Sequence, residues 1–268
     1  PPPTSAPKAA DRASLPDAGP GALPLLAGRQ TGIQVRGIRL SAKGNLDKEE
    51  IVSSQLSQLQ RLPDTAEEIR DIARILNGDE ASDVFLAGEA TEQRVKTMNL
   101  ASRKIIAFAT HALVPGDLDG LDQPALALAA PEGAGANEDG LLTMGEILKL
   151  KLNADWVILS ACNTGAANGA GQEALSGLGS AFFYAGTRSL LVSLWPVETT
   201  SARKLVTGIF AAQQTSASLS NAQALRKSML DLLDRDQLVD PATGKVVSSY
   251  AHPLFWAPFT LAGDPGTR

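Results

Sequence analysis

The sequence predicts an α/β fold in which helices cover both faces of a mostly parallel central sheet. Three apolar runs carry this prediction: KIIAFAT (104–110), DWVILSA (155–161) and RSLLVSLW (188–195). None of them shows the strict apolar–polar alternation of a strand that has one solvated face. Amphipathic helical patterns separate the runs along the chain, and strands that alternate with helices are typical of a parallel sheet.

The elements before the first long run are predicted as follows. Residues 1–61 form a linker or arm rich in Pro, Ala, Gly and Ser, with IQVRGIRL (33–40) as one possible edge strand. The main domain is predicted over residues 62–268. It opens with a helix at 62–76, capped by Asp64 or Thr65. A short strand, DVFLAG, and a second helix at 89–100 follow.

Further elements are predicted on both sides of the second run. Thr143 and Glu146 form a capping box at the start of a helix over 142–152. The remaining predicted elements are helices at 173–186, 200–213 and 221–234 and a closing strand, FWAPFTLAG (255–263). The helix at 200–213 places Ala202, Leu205, Val206, Ile209 and Phe210 on one side.

The composition excludes several classes of function. The formal net charge is -5, which leaves no basic surface for a nucleic acid or for an anionic membrane. No apolar run reaches the length of about 18 residues needed to span a bilayer. The chain has one cysteine and two histidines without ligand-like spacing, so we expect no intramolecular disulfide, no metal and no cofactor. Its first residues, PPPTSAPKAADR, suggest a piece of a longer protein.

Two chemically competent residues follow two of the predicted strands. His111 comes directly after KIIAFAT, and Cys162 comes directly after WVILSA. Because the carboxyl ends of parallel strands meet at one edge, both side chains are expected at the same crevice. A cysteine nucleophile needs a base that takes its proton and backbone N–H groups that hold the oxyanion. A buried structural Cys and a structural His remain the alternatives at this point.

Several ordered segments resemble one known family. They are LPDTAEEI, VFLAGEATEQRVK, IIAFATHA, LLTMGEILKLKLNADWVILSACNTG, EALSGLGSAFFYAGTRSLLVSLWPVE and HPLFWAPFTLAGD, over roughly residues 62–265. Together they resemble the CHAT family, caspase-like domains often found with tetratricopeptide repeats in bacteria. Caspases have a His about 50 residues before the catalytic Cys, and the separation of His111 and Cys162 is 51.

The resemblance implies a caspase-like three-layer sandwich and a cysteine endopeptidase. Cys162 would be the nucleophile and His111 the base and acid, with the N–H groups of Cys162 and Ala112 in the oxyanion hole. The family usually has Gly where this chain has Ala112, which matters only if that position needs a positive φ. The implied partners are a protein or peptide substrate and a regulatory region upstream, and the implied location is the bacterial cytoplasm.

The substrate is expected to lie beside the third run as an added strand. Ser193, Leu194 and Trp195 are the candidate lining residues, and Pro196 ends the pairing because it has no N–H. Trp195 could equally pack in the core. An acidic residue near the mouth would favour a basic residue before the cleaved bond. The acidic candidates are Asp117, Asp119, Glu173 and Glu198.

Two other functions remain open from the sequence. A CHAT-like domain without turnover would serve as a protein-interaction module, and Ala112 is the residue that points to it. A different α/β hydrolase with a cysteine nucleophile would have a closed pocket instead of an open groove. No GxxxxGK[ST] motif is present, so a nucleotide-binding function has no support.

Overall fold

A four-stranded sheet forms the centre of the protein. The computed structural model describes residues 55–130, 138–160, 170–195, 197–235, 237–240 and 242–266, without the side chains of 170–175, 235 and 238. Within these ranges the strands are β1 (Ile105–Phe108), β2 (Ala112–Leu113), β3 (Ala125–Ala127), β4 (Leu141–Thr143), β5 (Trp156–Leu159), β6 (Ser189–Ser193), β7 (Gln237–Val239), β8 (Val246–Ser249) and β9 (Phe259–Gly263). The central sheet has the order β1-β5-β6-β9.

Helices connect the strands of this sheet. The α-helices in the described ranges are α1 (Asp64–Ile75), α2 (Glu80–Asp83), α3 (Glu92–Thr97), α4 (Met144–Ile147), α5 (Ala170–Ala185), α6 (Thr199–Thr215) and α7 (Asn221–Arg235). Short 3-10 helices occur at Ala87–Glu89, Leu100–Ser102 and Pro253–Phe255. The predicted one-sided pattern of α6 is confirmed, since its five expected core residues are all fully buried.

The sheet is mostly parallel, as the sequence predicts. Strand β1 pairs in parallel with β5, where Phe108 lies opposite Leu159. Strand β5 pairs in parallel with β6, and β9 runs antiparallel to β6 at the outer edge. The carboxyl ends of β1, β5 and β6 therefore lie at one edge of the sheet, the edge where α/β proteins bind ligands.

Alternate residues of β5 face two separate apolar layers. Trp156 and Ile158 pack against α1, α6 and α7, and the Trp156 ring meets Phe210 edge-on at 6.2 Å. Val157 and Leu159 pack on the other face, in the cluster that includes Phe182 of α5. Since the side chains of a strand point alternately to opposite faces, a strand that is apolar throughout needs helices on both sides. The three-layer arrangement is confirmed.

A small antiparallel sheet, β2-β3-β4, lies between β1 and β5 in the chain. It has its own apolar cluster, which is built from Leu113, Leu118, Leu121, Ala125, Ala127 and Leu141. Leu56 and Leu59 pack against this cluster. Residues 55–61 thus contact the domain, although the sequence assigned them to the arm. The predicted edge strand at 33–40 lies outside the described residues.

Three local predictions were wrong. DVFLAG is not a strand: Val84–Leu86 is irregular and leads into the 3-10 helix, with Ala87 at φ 49°. Of the helix predicted over 142–152 only α4 forms, with the expected capping box. Residues 142 and 143 belong to β4, and residues 148–152 are turn or irregular. Helix α1 has Pro63 at its N-cap without a side-chain bond, and the Thr65 hydroxyl donates back to Leu62.

Candidate active site

His111 lies in the connection between β1 of the central sheet and β2 of the small antiparallel sheet. It comes three residues after Phe108, the last residue of β1, and directly before β2. Its carbonyl oxygen accepts a 2.9 Å hydrogen bond from the N–H of Ala127, and the neighbouring Thr110 hydroxyl donates to the carbonyl of the same residue. Strand β3 therefore fixes the main chain on which the imidazole is mounted, and the residue is only 6% exposed.

The contact of the ring determines which nitrogen can act as a base. The Nε2 atom of His111 lies 2.8 Å from the carbonyl oxygen of Gln60. A carbonyl only accepts hydrogen bonds, so Nε2 carries the proton and donates it. In the neutral imidazole Nδ1 is then unprotonated and able to accept a proton. Burial lowers the pKa of His111, while the Gln60 carbonyl works in the opposite direction. The ring is thus held neutral at neutral pH.

Cys162 lies outside the described residues, but the described chain ends close before it. Strand β5 ends at Leu159, opposite Phe108, and the N–H of Ser160 donates to the carbonyl of Phe108 at 3.1 Å. Two peptide units join Ser160 to Cys162, so their Cα atoms are at most about 7 Å apart. Cys162 also follows the paired strand end by three residues, the same offset as His111.

Ala112 occupies unstrained backbone. It belongs to β2, lies opposite Leu126 of β3 and is 3% exposed. Among the described residues, the non-glycine residues with positive φ are Asn77 and Ala87. Ala112 is therefore in a conformation that alanine adopts freely, and the missing glycine costs no backbone strain.

The candidate substrate-lining residues differ in their main-chain pairing and in their exposure. Ser193 pairs with Phe259 of β9, and the N–H of Leu194 donates to the carbonyl of Pro258 at 2.9 Å. Strand β6 thus has a neighbour on each side, β5 and β9, and an extended peptide cannot be added along it. Of the three predicted lining residues, this leaves Trp195 as the candidate for contact with a substrate, and it is 37% exposed. Pro196 lies outside the described residues.

The acidic candidates have different surroundings. Asp117 accepts a 2.8 Å bond from the N–H of Val114, and burial raises the pKa of its carboxyl group. Asp119 exchanges hydrogen bonds with the side chain of Gln55. Glu198 is buried and caps α6, accepting from the N–H groups of Thr200 and Ser201 at 2.9 and 2.7 Å. Glu173 belongs to α5, and its side chain is not among those described.

A comparison with family models identifies the fold independently of this geometry. The model of the CHAT domain matches residues 8–264. The chain belongs to the CHAT domain family. The match confirms the resemblance seen in the motifs and assigns the domain to a caspase-like family. It begins well before residue 62, where the sequence places the start of the main domain. No match was found among curated proteins.

The sequence did not predict two polar contacts of this CHAT domain. Gln60 acts on His111 through its main-chain carbonyl, so its residue type carries no signal, and it lay within the predicted arm. Glu68 is fully buried on α1 and accepts a hydrogen bond from Ser160. In the sequence it was indistinguishable from a glutamate of the first helical turn.

The described residues show neither a metal site nor a membrane helix. No group of three or more His, Cys, Asp or Glu side chains in the described ranges is placed to hold a metal ion. Within the same ranges, the helices are too short or too polar to cross a bilayer.

Proposed function

We propose that this CHAT domain is a cysteine endopeptidase in which Cys162 and His111 form a catalytic dyad. The supporting observation is the hydrogen bond between His111 Nε2 and the Gln60 carbonyl. It leaves Nδ1 as the acceptor at the edge of the sheet where the chain leads on to Cys162. A main-chain carbonyl takes the place of the acidic third residue of other triads, which orients the imidazole in the same way.

The dyad would work through an acyl-enzyme. His111 Nδ1 takes the thiol proton, and the thiolate of Cys162 attacks the scissile carbonyl carbon. The N–H groups of Cys162 and Ala112 would stabilise the oxyanion. The C–N bond then breaks, and the imidazolium gives its proton to the leaving amine. Water, deprotonated by His111, attacks the thioester, and its hydrolysis releases the acid and restores the thiol.

The substrate is proposed to be a protein segment in extended form. Trp195, which is partly exposed just beyond β6, offers an apolar surface beside it. Asp117 and Glu173 are the acidic candidates for a pocket that accepts a basic side chain, since Glu198 is engaged in capping α6. A regulatory region upstream and a bacterial cytoplasmic location remain part of this proposal.

An interaction module without turnover is the second candidate. The observation that favours it is the low exposure of the His111 side chain, because a buried histidine bonded to a carbonyl also serves purely structural roles. In that case the domain would bind a protein through the same edge of the sheet and leave it intact.

A peptide-library cleavage assay separates the two functions. We expect cleavage by the unaltered chain and by His252→Ala, which changes the exposed second histidine. Cys162→Ala and His111→Ala should lose at least about a hundredfold in kcat. Cleavage by Cys162→Ala at the unaltered rate would exclude the dyad. No cleavage by any of the four proteins, with a stable fold in each, would favour the interaction module.

A further inference from the structure

A buried polar contact joins α1 to the end of β5. The hydroxyl of Ser160 donates to Oε1 of Glu68 at 2.5 Å, although the two residues are 92 positions apart in the chain. Glu68 is 0% exposed and Ser160 is 1% exposed. The contact therefore links a helix of one outer layer to the central sheet, at the edge that carries His111.

Glu68 differs from the neighbouring acidic residues of α1. Glu67 and Asp71 form ion pairs with Arg203 at the surface. Glu68 shares the buried side of the helix with Ile72, which packs in the apolar layer against the sheet. Burying a carboxyl group is costly unless it is hydrogen-bonded, and an apolar residue would pack at such a position without that cost. The glutamate at position 68 is thus better explained by its hydrogen bond to Ser160 than by packing.

Ser160 is held in two directions. Its N–H donates to the carbonyl of Phe108, at the end of the strand that leads to His111. Its hydroxyl is bound by Glu68. The next residue but one in the chain is Cys162. The last described residue before the cysteine is thereby tied both to the histidine strand and to α1.

We infer that Glu68 is a positioning residue for Cys162. Through Ser160 it fixes the end of β5, from which the chain continues to Cys162 two residues later. This inference rests on the proposed dyad. It assigns Glu68 no contact with the substrate, so its loss should affect the chemical step more than substrate binding.

The single cysteine makes a direct test possible. Iodoacetamide labels Cys162 and no other thiol, so its rate reports the reactivity of this residue even without turnover. The variants are Glu68→Ala, Glu68→Gln and Ser160→Ala. Glu67→Ala is the matched control, since it removes an exposed carboxylate one position away. Each protein is measured for thermal unfolding, for the pH dependence of alkylation, and for kcat and KM on a cleaved peptide.

We expect Glu68→Ala and Ser160→Ala to lower kcat by about tenfold or more with KM nearly unchanged, because a small misplacement of reacting groups is costly. Their alkylation profile should move toward that of an ordinary thiol, with a midpoint at about pH 8.5. Glu68→Gln keeps an oxygen acceptor for the hydroxyl and should retain most of the activity. The double variant Glu68→Ala/Ser160→Ala should be no worse than either single one.

Opposite results would overturn the inference. These are a folded Glu68→Ala with the kcat and alkylation profile of Glu67→Ala, or losses that add in the double variant. Where Glu68→Ala does not fold, Ser160→Ala decides by the same two readouts. Failure of the proposed function is recognised separately, because Cys162→Ala would then cleave like the unaltered chain. The alkylation profile still tests the role of Glu68 in that case.

Discussion

The His111 imidazole receives two opposing influences on its charge. Burial disfavours the imidazolium and lowers the pKa, and the Gln60 carbonyl favours it by accepting the Nε2 proton. The net direction is downward, so the neutral ring persists to a lower pH than that of an ordinary histidine. A neutral Nδ1 is the form that can take a proton from a thiol.

We therefore expect the acid limb of the pH profile of kcat/KM to lie below pH 6.5, the ordinary value for histidine. The ratio kcat/KM reports the ionisation of the free enzyme, which is the state that the structure represents. Peptide cleavage measured across the acid range checks this. His252→Ala should leave the limb in place, whereas a limb at or above pH 6.5 would contradict the expected direction.

At the residue scale, the sequence pointed to the candidate side chains but not to the main-chain carbonyl of Gln60 that contacts His111. His111 and Cys162 were predicted because their residue types can carry the chemistry and their positions follow apolar strands, and this assignment stays a prediction. The Gln60 carbonyl could not be found, since any residue presents the same oxygen. Glu198 was predicted at the substrate site. An acidic residue after a strand end can bind a substrate or cap the following helix, and the sequence does not distinguish these roles. The hydrogen bonds from Thr200 and Ser201 show that it caps α6.

Among the elements, α6 depends on Glu198 for its first turn. The first N–H groups of a helix have no partner within it, and here one carboxylate satisfies those of Thr200 and Ser201. Glu198 is 2% exposed, so water cannot readily replace it. The side chain therefore stabilises the helix that packs on Trp156 and Ile158.

Replacing Glu198 by Ala should lower the free energy of unfolding by about 2 kcal/mol, since the partly buried N–H of Thr200 and the buried N–H of Ser201 lose their acceptor. The preference for peptide substrates should not change. Urea unfolding and library cleavage measure the two effects. Glu198→Gln, which keeps one acceptor oxygen, should lose less stability. Unchanged stability together with a lost preference for basic residues would instead place Glu198 in the specificity pocket.

Prediction of the elements succeeded where the pattern was long. Helices α6 and α7 have several turns of regular spacing, and β5 and β6 are continuous apolar runs. It failed at DVFLAG, because a run of a few apolar residues cannot show whether a neighbouring strand exists to pair with it. The small β2-β3-β4 sheet was also missed, since its strands have only two or three residues each.

At the scale of the whole molecule, the parallel pairing of β1 and β5 means that the chain segments leading to both members of the proposed dyad start at the same edge of the sheet. Phe108 and Leu159 end their strands side by side, and each is followed three residues later by one member of the proposed pair. The fold class could be predicted because both faces of the central strands are apolar. The contact of residues 55–61 with the domain could not, since it depends on the isolated apolar residues Leu56 and Leu59.

The molecule also carries a charged cluster that couples its stability to pH. The Nζ atom of Lys96 contacts Glu92 and Glu146, and Oε2 of Glu92 accepts from the N–H of Gly140 at 3.3 Å. Burial raises the pKa of Glu92 to about 7. Burial of Glu146 is outweighed by Lys96 and the Thr143 N–H, which lower its pKa to about 2. Asp139, which also faces Glu146 and Lys96, has its pKa raised by burial.

Glu92 should therefore destabilise the fold as the pH rises from 4.5, the value expected in the unfolded chain, to about 7. In this window the folded state binds the proton more tightly than the unfolded state, so deprotonation favours unfolding. Glu146 acts only at lower pH, where its stabilising contribution is lost below 4.5. Glu92→Gln stays neutral, which removes the Glu92 contribution and leaves that of His111. Between pH 5 and pH 8, urea unfolding should show the unaltered chain losing on the order of 1 kcal/mol or more relative to Glu92→Gln. A difference that stays constant with pH would show that Glu92 is already ionised at pH 5.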